Sequence, residues 1–81
     1  MSIVRLRLFI INMVIIMKDY IEKFTELRID RDITQKEVAK ILGINQSAYS
    51  KYEKRRTKMS VEDFKKLCEF YKVSADEILD L

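Results

Sequence analysis

Histidine, proline and tryptophan are absent from this chain of 81 residues, and glycine and cysteine each occur once. Each scarcity excludes something. With no imidazole and with a thiol only at Cys68, the chain cannot build a Cys/His zinc site or an intramolecular disulfide, and it has no histidine for proton transfer near neutral pH. A phosphate-cradling loop needs several glycines, and no pair of carboxylates lies in an apolar setting. The expectation is therefore a protein that is not an enzyme, with no cofactor and no metal. The lack of proline, together with many Lys, Glu, Ile and Leu, favours helices joined by short turns. Cys68 lies on the stripe Phe64, Leu67, Cys68 and Tyr71, which makes it a small core residue; a lone thiol fits a reducing cytoplasm, the expected location.

What is present fits one small folded domain: 48% hydrophobic residues and 36% charged ones. The net charge of +3 is modest but unevenly placed. Between Asn45 and Lys58 the bases Lys51, Lys54, Arg55, Arg56 and Lys58 face a single acid, Glu53. From Ser60 onward acids outnumber bases. Charge runs are usually solvated faces. This one directly follows a short helical pattern whose outer side is polar and free of acids, a place suited to phosphate contacts.

That helix is part of the stretch from Thr34 to Glu53. Thr34 with Glu37 forms a capping-box pattern ahead of Val38, Ile41 and Leu42. Ala39 offers a small residue for close helix approach. Gly43 stops the helix in a left-handed conformation, and Ile44 plugs the corner. Asn45 caps a second helix whose apolar side is Ala48, Tyr49 and Tyr52. Its outer side carries Gln46, Ser47, Ser50 and Lys51: amide, hydroxyl and amine groups suited to base edges and phosphates. The pattern is a helix-turn-helix.

The run Thr34-Gln35, Val38-Ala39, Leu42-Gly43-Ile44, Gln46-Ser47, Tyr49-Ser50-Lys51 and Glu53 resembles the helix-turn-helix of lambdoid phage Cro and repressor proteins and of bacterial XRE-type regulators. Resemblance continues through Ser60 to Leu79 and covers roughly Met17 to Leu81. It implies an all-α fold, a five-helix lambda repressor-like domain, and binding of double-stranded DNA as a homodimeric transcription regulator. Two positions depart from the family pattern, Arg55 in place of glycine and Met59 in place of proline. The first implies either a longer helix or Arg55 at positive φ.

The expected DNA-binding residues follow. Gln35, at the start of the first helix of the pair, is placed for a phosphate. Asn45 caps the second helix, with a phosphate contact as an added role open to it. Gln46 is the leading base reader, since its amide can pair with adenine N6 and N7. Ser47, Ser50 and Lys51 reach bases or phosphates one turn on. Lys54, Arg55, Arg56 and Lys58 supply phosphate attraction. Tyr49 and Tyr52 pack. Glu53 pairs with a base such as Arg28 or with backbone N–H groups. Arg28 and Arg31 close the first helix, where the family also allows a backbone contact to DNA.

The remaining elements are structural. Tyr20, Ile21, Phe24 and Leu27 form the inward stripe of a helix opening at Lys18 or Asp19. Ser60 with Asp63 caps a helix burying Val61, Phe64, Leu67, Cys68 and Tyr71. Lys72-Val73 turns, and Ser74 with Glu77 caps a last helix that buries Ala75, Ile78, Leu79 and Leu81. The division is thus 1–17, an apolar extension, and 18–81, the helix-turn-helix domain. The extension is too short and polar at Asn12 for a membrane span and lacks a small-residue cleavage site for a signal peptide; translation ahead of a true start at Met17 is a further reading. Its β-branched content and the alternation Arg5-Leu6-Arg7-Leu8 favour a strand pairing with the same segment of a second subunit. An extended first helix against its symmetry mate is the second reading. No membrane partner is expected. The rival function is a protein-interaction module, antitoxin-like, on the same scaffold.

Overall fold

The computed structural model describes residues 20–79, and all regular structure in that range is helical. The strand expected within 1–17, the helix start at Lys18 or Asp19 and the core position of Leu81 lie outside the described residues. Helix α1 covers 20–30, followed by α2 (Gln35–Leu42), α3 (Gln46–Glu53), α4 (Val61–Tyr71) and α5 (Ala75–Leu79).

The starts of α2 to α5 have the expected chemistry. In α2, Thr34 Oγ1 accepts from the Glu37 backbone N–H at 3.1 Å and Glu37 accepts in return from the Thr34 N–H at 2.9 Å, a complete capping box. Asn45, Ser60 and Ser74 accept from the backbone N–H groups of Ala48, Asp63 and Glu77 at the starts of the next three helices.

The ends share one device. After each of α1 to α4 the chain passes through a left-handed residue: Asp32 (φ 54°), Gly43 (φ 72°), Arg55 (φ 58°) and Lys72 (φ 57°). At each, the following N–H returns to a carbonyl five residues back: Ile33 to Arg28 at 3.0 Å, Ile44 to Ala39 at 3.0 Å, Arg56 to Lys51 at 2.9 Å and Val73 to Cys68 at 3.0 Å. This is the Schellman arrangement, which satisfies otherwise orphaned carbonyls. In three turns the residue after the left-handed one is Ile33, Ile44 or Val73, each packed against the core. In the turn after α3 that place belongs to exposed Arg56, so the same geometry presents a cation. Arg55 at positive φ also settles the choice left by its departure from glycine.

The core gathers around Phe24, Val38, Tyr49, Leu67 and Tyr71, all essentially inaccessible. Phe24 stacks on Tyr71 at 6.0 Å between ring centroids and meets Phe64 edge-on at 5.4 Å, which binds α1 to α4. Helix α2 packs against both α3 and α4. Two core assignments change, those of Val61 and Ala75. Val61, expected inside, is 76% exposed, because the first position of α4 projects beyond the packed layer. Ile41 is 41% exposed: the inward stripe of α2 is Val38, Ala39 and Leu42, and at about 100° per residue Ile41 falls on its flank. Ala75 is exposed, leaving Ile78 as the buried residue of α5 and Leu79 half-buried. Met59, which the sequence pattern did not single out for the core, is buried as the plug of the loop between α3 and α4.

Candidate nucleic-acid interface

The α2–α3 pair leaves a shallow groove beside the N-terminal end and outer side of α3. Its walls are Gln35, Gln46, Ser47, Ser50, Lys51, Lys54 and Arg56. These seven were all expected at the interface, and the fold brings them together from three places: the first turn of α2, the outer side of α3 and the turn that follows it. Gln46 and Ser47 are exposed at the start of α3, whose first turn contains no acid. The wall carries three cations and no carboxylate.

The other expected residues sit elsewhere. Asn45 is exposed, and its side-chain oxygen accepts from the Ala48 N–H at 2.8 Å, so capping is its observed role. Arg55 is turned by its left-handed backbone to a separate depression on the α1 side, shared with Ile21, Glu22, Thr25, Glu26 and Glu53. Lys58 is exposed further along the loop, outside both depressions.

Behind the groove lies a polar cluster that positions its walls. Glu53, at the end of α3, receives Arg28 Nε at 2.7 Å on Oε2 and Arg28 Nη2 at 3.1 Å on Oε1. Arg28 Nη1 also donates to the Ile33 carbonyl at 3.0 Å. Gln35 Nε2 donates to Glu53 Oε1 at 2.9 Å. Burial pushes the Glu53 carboxyl up, but hydrogen bonds from Arg28, Gln35 and Tyr49, with the Arg28 charge, outweigh it and hold the group below its ordinary value. The Arg28 guanidinium moves up for the matching reason, its hydrogen bonds to Glu53. The Tyr49 hydroxyl is pushed well up, first by burial and then by the Glu53 charge. The expected pairing of Glu53 with Arg28 is therefore present, whereas the Gln35 bond was not foreseen. One sequence signal could have pointed to it: a lone carboxylate in a basic stretch needs several donors. Arg31 is likewise engaged internally, donating to the Tyr71 carbonyl at 3.1 Å with its guanidinium 5.3 Å from the Tyr71 ring centre. Arg28 in the last turns of α1 and Arg31 just after it thus both make contacts within the domain.

Two helices joined at a left-handed glycine, the second carrying a polar outer side at a cationic groove, define a helix-turn-helix protein. Comparison with known families agrees: the model described as "Helix-turn-helix" matches residues 25–78. The chain belongs to this family, in its XRE-type branch. It is 37% identical over 57 residues to the cryptic phage CTXphi transcriptional repressor RstR of Vibrio cholerae, an alignment covering 70% of this chain and 51% of that one. It is 31% identical over 61 residues to the HTH-type transcriptional activator BcrR of Enterococcus faecalis, covering 75% of this chain and 30% of that one. The chain thus aligns with about half of the first relative and under a third of the second. No solved structure matches. Among the described residues no helix is long and apolar enough to cross a membrane.

Proposed function

We propose that this protein is a sequence-specific, duplex-DNA-binding transcription regulator that acts as a repressor. Helix α3 enters the major groove with its N-terminal end foremost. Gln46 reads a base edge with Ser47 beside it, Ser50 and Lys51 act about one turn on, and Lys54 and Arg56 neutralise phosphates. The observation that carries this reading is the groove itself, where amide, hydroxyl and cationic groups from α2, α3 and the following turn converge without a carboxylate. Repression is preferred to activation because the relative described as a repressor is the more similar over its aligned length.

One domain of this size makes few base contacts, so a homodimer on a near-palindromic site is part of the proposal. The apolar 1–17 segment is its proposed contact. Double-stranded DNA titrations across a salt series test the reading. Log affinity is expected to fall linearly with log salt at about −0.9 per phosphate neutralised. Absence of duplex binding at low salt overturns the proposal.

A further inference from the structure

Gln35 opens α2 and lines the groove, but its side-chain nitrogen is already committed to Glu53 at 2.9 Å. The direction of that bond follows from the chemistry of the pair. An ionised carboxylate only accepts, so the Gln35 amide must turn its nitrogen toward Glu53 and its carbonyl oxygen away. The carboxylate is itself held. Arg28 grips both oxygens, at 2.7 and 3.1 Å, and is anchored through its third nitrogen to the Ile33 carbonyl. Both side chains of the pair are largely buried, at 15% and 10% exposure for Arg28 and Glu53. A two-pronged guanidinium clamp of this kind fixes orientation as well as charge. It also places a cation against the Glu53 charge inside the protein, which reduces the negative field that carboxylate casts on the groove wall.

We propose that Glu53 is a positioning residue for DNA binding that acts through Gln35, setting the direction in which the Gln35 amide meets the nucleic acid. The inference rests on the DNA-binding reading above. With one N–H taken by Glu53, Gln35 faces DNA with its carbonyl oxygen and one remaining N–H in a fixed arrangement. A side chain ordered before binding loses less rotamer freedom on binding than one ordered only by the ligand. The chain of contacts runs from α1 (Arg28) through the end of α3 (Glu53) to the start of α2 (Gln35), so the groove wall depends on a residue that itself faces away from the groove.

The test is a double-mutant cycle on affinity for a duplex selected by the unmodified protein from a random pool. Gln35→Ala is expected to weaken binding about tenfold, the loss of one good polar contact. Glu53→Gln should cost a similar factor when Gln35 is present and add little in the Gln35→Ala background. Equal, independent losses in both backgrounds overturn the inference, because a purely structural Glu53 would act regardless of Gln35. Circular dichroism establishes that each variant is folded. If Glu53→Gln is not, the cycle is run with Glu53→Asp, which keeps a charge for Arg28 but withdraws the carboxylate by one methylene. NMR of the unmodified free protein supplies a second reading: one Gln35 side-chain amide proton should be protected from exchange, and equal fast exchange of both overturns the fixed orientation. Absence of any duplex binding by the unmodified protein overturns the DNA reading together with this inference. Duplex binding with additive losses overturns the inference alone.

Discussion

Tyr52 donates its hydroxyl to Asp63 Oδ2 across 2.6 Å in the interior, joining the recognition helix α3 to the first turn of α4. Both residues are below a tenth exposed. The bond lets a carboxylate sit in the core near a helix N-terminus, where negative charge is favoured, and it raises the Tyr52 hydroxyl chiefly through that hydrogen bond and then through burial. It also fixes the orientation of α3 relative to the rest of the domain.

Two tyrosines make a matched experiment from this geometry. Tyr52→Phe strips Asp63 of its partner and should cost about 1–3 kcal/mol of stability. Tyr71 is buried deeper still, yet its hydroxyl has no hydrogen-bond partner among the described residues. Tyr71→Phe should therefore lie within about 0.5 kcal/mol of the unmodified protein or be more stable. Urea unfolding of the two variants measures both, and comparable losses would show that the Asp63 bond has no special weight.

The Arg28–Glu53 pair should make stability depend on pH in the acid range. Glu53 has a folded-state pKa held below its ordinary value near 4.5. A group of this kind contributes stability above that ordinary value and loses it as pH falls through the depressed one. Unfolding free energy should thus be nearly flat from neutral pH down to the ordinary carboxylate range and then decline, with Glu53→Gln showing a shallower decline. Arg28→Ala, which leaves the carboxylate buried without its guanidinium, should cost about 3–5 kcal/mol. Denaturant titrations at stepped pH check both statements.

The left-handed turns give a third expectation. Lys72 holds a positive φ that glycine adopts without steric cost, so Lys72→Gly should stabilise the domain by about 0.5–1 kcal/mol, and Lys72→Ala should not. Gly43→Ala should destabilise by about 1 kcal/mol through backbone strain alone, since an added Cβ there meets nothing within 4 Å. Thermal melting reports all three.

Reading and holding should separate in the groove. Gln46→Ala is expected to lose about 1–3 kcal/mol on the preferred site and to relax preference at one base position. Arg56→Ala should weaken all duplexes alike and flatten the salt slope by about 0.9. Arg55→Ala, turned toward α1, should change that slope less than Arg56→Ala. Affinities across a salt series on matched and mismatched duplexes decide among these.

The proposed dimer contact is open to a simple cut. A chain starting at Met17 should remain folded by circular dichroism and sediment as a monomer. A truncated chain that stays a tight dimer would remove residues 1–17 from the interface.

Much of this protein was determined by the sequence alone, because its signals are local. Thr34, Asn45, Ser60 and Ser74 mark helix starts through bonds to residues three positions away, and Gly43 marks a helix end through its own backbone freedom. The groove walls were legible for the same reason, since Gln46, Ser47, Ser50 and Lys51 share one side of a short helix. Only the tertiary structure decided what depends on residues far apart in the chain. Arg55 and Arg56 are neighbours of the same charge, and one left-handed φ sends them to different depressions. Val61 fits an inward stripe by spacing, but no second layer reaches the start of α4 to cover it. Gln35 and Glu53 are eighteen positions apart, and their bond exists because packing of α2 on α3 brings them within 2.9 Å. Periodicity assigns a residue to a side of its own helix; whether that side meets another element, and which partner it meets there, is set by the packing of the whole chain.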